Sequence, residues 1–356
     1  TDLDNIRAMW HYAVSQQQTA LLDEATHGLA RFYAITNLFT EGRLLFAQAV
    51  TALRETAVPQ TAPVVWGQLL GRYAMFLFRT GQLPEAMRQA EESVTVLRPF
   101  ADEEALAFSL NLWGILHIQS GNFETAVPLL NECADLYRRA ANPALLLKPL
   151  VNLSSVQMRL GNYETAVAHL QEALPLAKQG GDQRGLAHIY NNLGANYLVL
   201  GDLTAAYAQF AACLPLTAET DYLSVRVVAL QNLAEVSYKQ GNWAQAIDHC
   251  EASLAIAADI DDEIQAIRTQ KIYALALHAS GERERAWQIL RQAVQVGYEA
   301  GAMAALMDVL TGAAVLMVAE GETAVVDLLH FIIAHPATEQ QYVQEAQALL
   351  RVLPGT

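Results

Sequence analysis

Cysteine is scarce in this chain of 356 residues, and so are the residues typical of disorder. The three cysteines, Cys133, Cys213 and Cys250, form neither an even set nor a spaced pair of ligands, so we expect no disulfide framework and no metal site. Eleven prolines and twenty glycines are too few for a disordered chain. No apolar run reaches the roughly 18 to 20 residues that a membrane span needs, so we predict no membrane partner.

Basic residues are also in the minority, with 22 Lys and Arg against 37 Asp and Glu and a net charge of −15. Phosphate contacts need clustered Lys and Arg, so we expect no direct binding of nucleic acid. The sequence lacks the GxxxxGK[ST], HExxH and Gly-x-Ser-x-Gly elements that mark phosphate loops, zinc proteases and hydrolases. We therefore predict that the chain is not an enzyme and uses no cofactor.

A repeat with a period of 40 residues organises the sequence. Seven glycines follow one another at this spacing: Gly81, Gly121, Gly161, Gly201, Gly241, Gly281 and Gly321. Each stands in a similar context, as in "QSGNFETA" and "RLGNYETA". Glycine adopts the left-handed conformation that ends a helix, and a following Asn or Asp can cap the next one. The candidate caps are Asn122, Asn162, Asp202 and Asn242.

Small residues recur on both sides of each turn and indicate two closely packed helices. Five residues after the glycine stand Ala86, Ala126, Ala166, Ala206, Ala246 and Ala286. Seven residues before it stand Ala74, Gly114, Ser154, Gly194, Ala234 and Ala274. The pattern predicts an all-α fold, for example with helices near 103–119 and 123–140. Breaks between repeats are expected at Asp102, Asn142, Asp182 and Asp221.

These positions resemble the tetratricopeptide repeat (TPR), most clearly in "NNLGANYLVLGDLTAAYAQF". Leu193, Gly194, Tyr197, Gly201 and Phe210 occupy the signature places of that family. The resemblance implies a right-handed TPR-like superhelical solenoid of about eight helix hairpins. Since the usual unit has about 34 residues, the helices of a 40-residue repeat should be longer by most of a turn.

The chain divides into four predicted parts. Residues 1–18 form a lead-in helix, and 19–60 form an atypical capping hairpin that turns at Asn37 and has Gly42 in the small position. Residues 61–300 hold six regular hairpins. Residues 301–356 hold a hairpin that turns at Gly321, with Val326 in the alanine position, and a capping helix after Pro336. The four parts are expected to form one continuous solenoid.

By the same resemblance, the first helix of each hairpin lines a concave groove. Asn152, Asn192 and Asn232 lie nine residues before their glycines, and Asn111, Asn191, Gln231 and Lys271 lie one residue earlier. A column of carboxamides can pair with the N–H and C=O groups of an extended peptide, and it resembles the asparagine ladders of kinesin light chains and bacterial peptide-pheromone receptors. Alternatively, these side chains bond within their helices or face water.

Positive charge concentrates at the same predicted groove. The basic residues there are Lys148, Lys239, Lys271, Arg72, Arg79, Arg159 and Arg268, and Glu235 is the one acid among the fourteen residues before each of six turn glycines. A basic stripe in an acidic protein favours an acidic peptide or another anionic ligand. The alternative is that acids simply cluster at helix starts and on second helices. His188 is either a further ligand contact or a solvated histidine.

The ends, "TDLDNIRAMWHYAV" and "LLHFIIAHPATEQQYVQEAQALLRVL", look like those of the repeat arrays in bacterial signal-transduction ATPases of the STAND class, which includes the maltose-regulon activator. That resemblance implies a cytoplasmic sensor whose inducer controls upstream nucleotide-binding and winged-helix domains. The start at Thr1 suggests a piece of a longer intracellular protein. Two alternatives stay open: a scaffold for other proteins without a switching role, and an enzyme with a catalytic cluster in the groove.

Overall fold

The computed structural model describes residues 2–100, 102–219 and 222–353, and within these ranges it contains nineteen α-helices and no strand. The helices are α1 Asp2–Ser15, α2 Thr19–Ile35, α3 Phe39–Arg54, α4 Val58–Thr61, α5 Pro63–Arg79, α6 Leu83–Leu97, α7 Glu103–Gln119, α8 Phe123–Arg139, α9 Pro143–Arg159, α10 Tyr163–Gly180, α11 Gln183–Val199, α12 Leu203–Glu219, α13 Leu223–Lys239, α14 Trp243–Asp259, α15 Glu263–Ala279, α16 Arg283–Glu299, α17 Met303–Glu320, α18 Val325–Ala334 and α19 Gln340–Val352. The prediction of an all-α array of helix hairpins is confirmed.

The chain forms two compact units, residues 1–176 and 177–356. In the first unit, α5 packs on α6 and α7 packs on α8, and α2 and α3 both contact α5. In the second unit, α11 packs on α12, α13 on α14, and α15 on α16, while α17 contacts α15, α16, α18 and α19. The two helices of a hairpin therefore bury apolar surface against each other, and each hairpin also packs on its neighbours.

The turn inside each hairpin is built by its periodic glycine, as the sequence predicts. All seven glycines have positive φ, for example +75° at Gly121 and +78° at Gly241. At the first of these turns the Gly121 N–H donates to Ile118 O at 3.0 Å and the Asn122 N–H donates to His117 O at 2.9 Å. These bonds satisfy carbonyls that the end of α7 would otherwise leave unpaired.

Side-chain capping lies mainly at the other turn, between repeats. Asp102 accepts from the Ala105 N–H at 3.0 Å, and Asp182 accepts from the Gly185 N–H at 2.9 Å. Asn142 does the same for Leu145, whereas Asp221 lies outside the described residues. After the glycines, Asp202 caps α12 through the Ala205 N–H.

The prediction that Asn122 and Asn242 cap the helices after their glycines was wrong, because neither makes a side-chain cap hydrogen bond. The backbone of the turn does not decide this, because Asp202 makes the same backbone hydrogen bonds and does cap its helix. Two of the asparagines use their amides elsewhere: Asn162 donates to Gln157 Oε1 at 2.8 Å, and Asn242 donates to Gln240 Oε1 at 3.5 Å. A carboxylate has no donor of its own and acts only as an acceptor, as a cap requires.

Small residues bring the two helices of each hairpin together. A Cβ atom at Gly194 would lie 2.6 Å from the ring of Phe210, and one at Gly114 would lie 2.8 Å from Leu130. Gly42 of α3 makes room in the same way for the Phe76 ring of α5, which belongs to the next hairpin. Because contacts this short are sterically forbidden, a larger side chain at these positions would push the helices apart.

The last hairpin departs from the repeat. Gly321 turns the chain as predicted, with φ +75°, but α18 begins at Val325. Val325 is fully buried, and Val326 is only partly buried. Assigning Val326 to the alanine position was therefore wrong, since the late start of α18 moves the buried position by one residue.

One helix is long and apolar enough to cross a membrane by length and composition, contrary to our expectation. It is α17, and 56% of it is buried inside the protein. Its Asp308 is buried and pairs with Lys271, and Ala305, Val309 and Leu316 belong to a hydrophobic core with α15 and α16. These contacts are those of a central core helix.

Candidate functional site

The predicted groove residues all lie on the first helices of the hairpins. Arg72, Arg79, Asn111, Lys148, Asn152 and Arg159 belong to α5, α7 and α9 in the first unit. His188, Asn191, Asn192, Gln231, Asn232, Glu235, Lys239, Arg268 and Lys271 belong to α11, α13 and α15 in the second unit.

Asparagine side chains pair with one another across neighbouring repeats. In the first unit the Asn152 amide donates to Asn111 Oδ1 at 3.0 Å, and in the second unit the Asn232 amide donates to Asn191 Oδ1 at 3.3 Å. A carboxamide has two donor hydrogens and one acceptor oxygen. Asn111 and Asn191 therefore keep unused amide donors, while Asn152 and Asn232 keep an unused acceptor oxygen. Together these groups complement a peptide group.

The second unit contains a cavity of about 430 Å³ next to its asparagine pair. It is lined by Ala195, Leu198, Val199, Gln231, Asn232, Glu235, Tyr238, Lys239, Arg268, Lys271, Ile272, Leu275, Asp308, Gln341, Tyr342 and Glu345. We call it the α13–α15 cavity. Part of its wall is apolar, from Ala195, Leu198, Val199, Ile272 and Leu275, and the other lining residues carry polar or charged groups. A mixed lining of this kind is typical of a ligand site.

Two buried polar atoms of this lining have no hydrogen-bond partner in the described part of the chain. They are Gln231 Oε1, an acceptor, and Arg268 Nε, a donor. Burying such groups unpaired costs about 1 to 3 kcal/mol each. A ligand that supplies one donor and one acceptor would remove both costs once the two side chains turn toward the cavity.

Lys271 is the most deeply placed cation of the predicted basic stripe. Its Nζ lies 2.8 Å from Asp308 Oδ1 and 3.6 Å from Glu345 Oε2, and 5.0 Å from the centroid of the Tyr342 ring. Gly312 makes room for it, because a Cβ there would approach Lys271 Cγ to 2.7 Å. Burial acts to lower the pKa of Lys271, but attraction to Asp308 and Glu345 outweighs it and raises the pKa above its usual value.

The other two cations of the cavity are paired as well. Arg268 Nη2 lies 3.1 Å from Glu339 Oε1, and Lys239 Nζ lies 3.2 Å from Glu235 Oε1. The basic stripe predicted from the sequence is thus largely neutralised in the second unit. Two of the neutralising acids belong to the α19 region: Glu339 immediately precedes the helix, and Glu345 lies within it.

Sequence reasoning missed Asp308, Tyr342 and these two glutamates. Asp308 stands thirteen residues before Gly321, the position that Arg268 has before Gly281, so the repeat register contained a signal for it. Nothing in the register places Tyr342, because α19 follows a loop after α18 and does not obey the 40-residue spacing. Its position depends on how residues 335–339 turn.

Some of the other predicted ligand contacts already touch another side chain, and some do not. Arg79 stacks on Phe39 with its Cζ 4.3 Å from the ring centroid, and His188 Nε2 lies 2.8 Å from the Tyr222 hydroxyl. Lys148 and Arg159 are exposed. The Asn192 side chain has no hydrogen-bond partner among the described residues. Arg72 lines a different cavity, in the first unit.

The three cysteines are free and buried. Burial raises the pKa of the Cys133 thiol to about 12 and that of Cys213 to about 11, so both thiols stay protonated at neutral pH. No group of three or more His, Cys, Asp or Glu side chains that could hold a metal ion occurs among the described residues.

The sequence of the chain matches the tetratricopeptide-repeat family over residues 145–219 and 226–297, and the anaphase-promoting complex subunit 5 family over residues 68–118. No curated protein matches it. The chain therefore contains tetratricopeptide repeats.

Three solved structures illustrate this likeness. A Signal Transduction ATPase with Numerous Domains (STAND) protein with a tetratricopeptide repeat sensor, from Pyrococcus horikoshii, has a TM-score of 0.68 at 13% identity, covering 98% of this chain and 51% of that one. The apo form of RapI has a TM-score of 0.64 at 15% identity, covering 80% and 97%. A Rap protein complexed with Competence and Sporulation Factor has a TM-score of 0.57 at 15% identity, covering 98% and 99%. At such identities the likeness concerns the fold alone.

Proposed function

We propose that this chain is the ligand-sensing TPR region of a larger STAND-type ATPase and binds an extended or acidic polypeptide, or another anionic ligand, along the inner helices of its hairpins. The observation that carries the proposal is the α13–α15 cavity, with its unpaired Gln231 Oε1 and Arg268 Nε beside the Asn191–Asn232 pair. The site is one of binding, and we propose no catalytic role.

Peptide backbone is the ligand chemistry that fits these groups best. A peptide unit offers one N–H to an acceptor such as Gln231 Oε1 and one C=O to a donor such as Arg268 Nε. At about 0.5 to 1.5 kcal/mol per hydrogen bond, such contacts need help from side chains in the apolar part of the cavity.

The preference for an acidic ligand rests on exchange of ion pairs. The cavity lining carries three basic side chains, Lys239, Arg268 and Lys271, and three acidic ones, so its charges balance. An incoming carboxylate can replace Glu339 beside Arg268 at little cost, because that pair is partly exposed and individually weak.

The sensing role is supported by fold similarity to the STAND protein, of which this chain spans about half the length. In the proposed full-length protein, upstream nucleotide-binding and winged-helix domains respond to the ligand, which must prefer one of two states of the array. We propose a cytoplasmic location, without membrane attachment or direct contact with nucleic acid.

A scaffold for other proteins without a switching role is the second candidate. The match of residues 68–118 to a subunit of a large assembly favours it. The encoded sequence ahead of Thr1 separates the two candidates. A phosphate-binding GxxxxGK[ST] motif there supports the sensor, and an upstream sequence without one contradicts it.

Peptide selection tests the binding site itself. We expect a random peptide library to yield ligands, and Asn232→Ala to weaken a selected peptide at least tenfold, because it removes an acceptor and the Asn191 pairing. Asn242→Ala is the matched control, since Asn242 is an exposed turn residue of the same unit. Isothermal titration measures both. Equal affinities of the two variants, or a library that yields no ligand, would overturn the site.

A further inference from the structure

A second cavity, of about 290 Å³, lies in the first unit and plays no part in the proposed peptide site. It is lined by Asp23, Thr26, His27, Gln68, Arg72, Asp102, Glu104 and Ala105. These residues come from α2, from α5 and from the start of α7. We call it the Arg72 cavity.

Arg72 is held rigidly in this cavity, without a carboxylate partner. Its guanidinium lies on the ring of Phe108 with Cζ 3.5 Å from the ring centroid, and its Nη2 lies 3.0 Å from His27 Nδ1. No acidic side chain among the described residues lies within ion-pair distance of it. Burial lowers the pKa of Arg72 to about 10, although Glu104 and Asp102 act in the opposite direction. The result is a poorly solvated cation whose outer edge has no counter-ion.

The acids around Arg72 differ in what they already bind. Asp102 is fully used, because it accepts from Gln68 Nε2 at 2.9 Å and from the Ala105 N–H at 3.0 Å. Asp23 and Glu104 are exposed, and neither forms an ion pair within the described residues. Two carboxylates are therefore available at the rim of a cavity whose wall holds one unpaired guanidinium.

We propose that the Arg72 cavity binds a free α-amino acid. The ligand carboxylate pairs with the guanidinium of Arg72, in the two-pronged geometry that arginine favours, and the ligand ammonium faces Asp23 and Glu104. A simple anion is disfavoured because both rim carboxylates repel it, and a simple cation is disfavoured by Arg72. Only a ligand with both charges satisfies the two sets of groups, and the cavity has the volume for a small molecule of this kind.

Titration calorimetry with the purified chain tests the proposal. The probes are the twenty standard amino acids, followed by the amide and the N-acetyl derivative of the tightest binder. We expect at least one amino acid to bind, and both derivatives to bind at least tenfold more weakly, because each has lost one charge. A panel without binding, or a derivative that binds as well as its parent, would overturn the proposal.

Substitutions locate the binding to this cavity. Arg72→Met should abolish amino-acid binding and leave the melting temperature equal or higher, because it removes a desolvated charge. Arg54→Met is the matched control, since Arg54 also stacks on an aromatic ring of the first unit and lines neither cavity. Glu104→Gln should weaken binding without affecting the fold. Unchanged binding in Arg72→Met, or equal losses in the Arg54 control, would refute the assignment.

Discussion

His117 shows how burial sets the chemistry of a single residue. Both of its ring nitrogens are buried without a hydrogen-bond partner in the described part of the chain, and the ring packs 5.6 Å from that of Trp113. Burial lowers the pKa of His117 despite the opposing charge of Glu91. The folded chain therefore holds this imidazole neutral.

This arrangement predicts a loss of stability in acid. A histidine with a lowered pKa in the folded state contributes stability above its ordinary pKa of about 6.5, and this contribution falls as the pH drops toward the folded value. We expect His117→Phe to raise the free energy of unfolding by about 1 kcal/mol and to reduce its decline between pH 7 and pH 5. Urea unfolding at the two pH values measures this.

His330→Gln serves as control, because His330 is exposed. Burial also lowers the pKa of His169 and His249, so part of the decline should persist in His117→Phe. A pH dependence identical to that of the wild type would contradict the proposed role of His117.

Single residues also show which local features can be predicted from the sequence. The positive φ of Gly121 follows from its spacing alone, since a helix that must end at a fixed place needs a residue without Cβ strain. The capping roles of Asn122 and Asn242 did not follow, because an asparagine can use its amide elsewhere, as Asn242 does with Gln240. Type and position of a residue suggest a cap, but the local hydrogen bonds decide it.

At the level of elements, α19 is joined to the array by charge as well as by apolar contacts. Ala346 is buried against α17 and α18 side chains, and on the other side Glu339 and Glu345 meet cations of α15. Lys271 connects three elements, because it also pairs with Asp308 of α17.

Breaking this junction should be costly. We expect Asp308→Asn to lower the free energy of unfolding by about 3 kcal/mol, because it leaves the buried Lys271 charge poorly compensated. Glu345→Gln is the matched control and should cost less than about 1 kcal/mol, since Glu345 is more exposed. Replacing both Lys271 and Asp308 with Met and Leu should recover most of the loss. Urea unfolding tests the set, and equal costs for the two single variants would contradict it.

Element positions were predictable wherever the repeat register applied. The bounds of α7 and α8 agree with the sequence to within a residue, because a glycine and an inter-repeat cap fix both ends. The 40-residue spacing did not predict the start of α18, which begins late and buries Val325. It also did not predict the position of α19, whose contacts depend on the preceding loop. The amphipathic pattern predicts that a final helix exists, but not which neighbour its charged face meets.

At the scale of the whole molecule, each hairpin is stabilised by itself and by its neighbours, as in other linear arrays. A substitution that destabilises one hairpin should therefore leave distant hairpins unaffected. Gly194→Ala forces a Cβ against Phe210 and should destabilise the α11–α12 hairpin by about 2 kcal/mol. We expect hydrogen exchange to accelerate in α11 to α13 and to stay unchanged in α17 to α19.

Gly28→Ala is the comparison, because Gly28 lies within α2 and a Cβ there meets nothing within 4 Å. This change should stabilise α2 by up to about 1 kcal/mol. Hydrogen exchange followed by mass spectrometry resolves both effects. A uniform acceleration across all helices in Gly194→Ala would show that the array unfolds as one cooperative body.

The regular 40-residue return of the left-handed glycines has a consequence for the gene. Unequal crossing-over between two neighbouring repeats adds or deletes a whole number of codons and leaves every other turn in its place. Such an event changes the number of hairpins without disturbing the reading frame or the contacts of the hairpins that remain. The coding sequence can therefore gain or lose length in steps of one repeat, and relatives of this chain should differ in repeat number more readily than in repeat length.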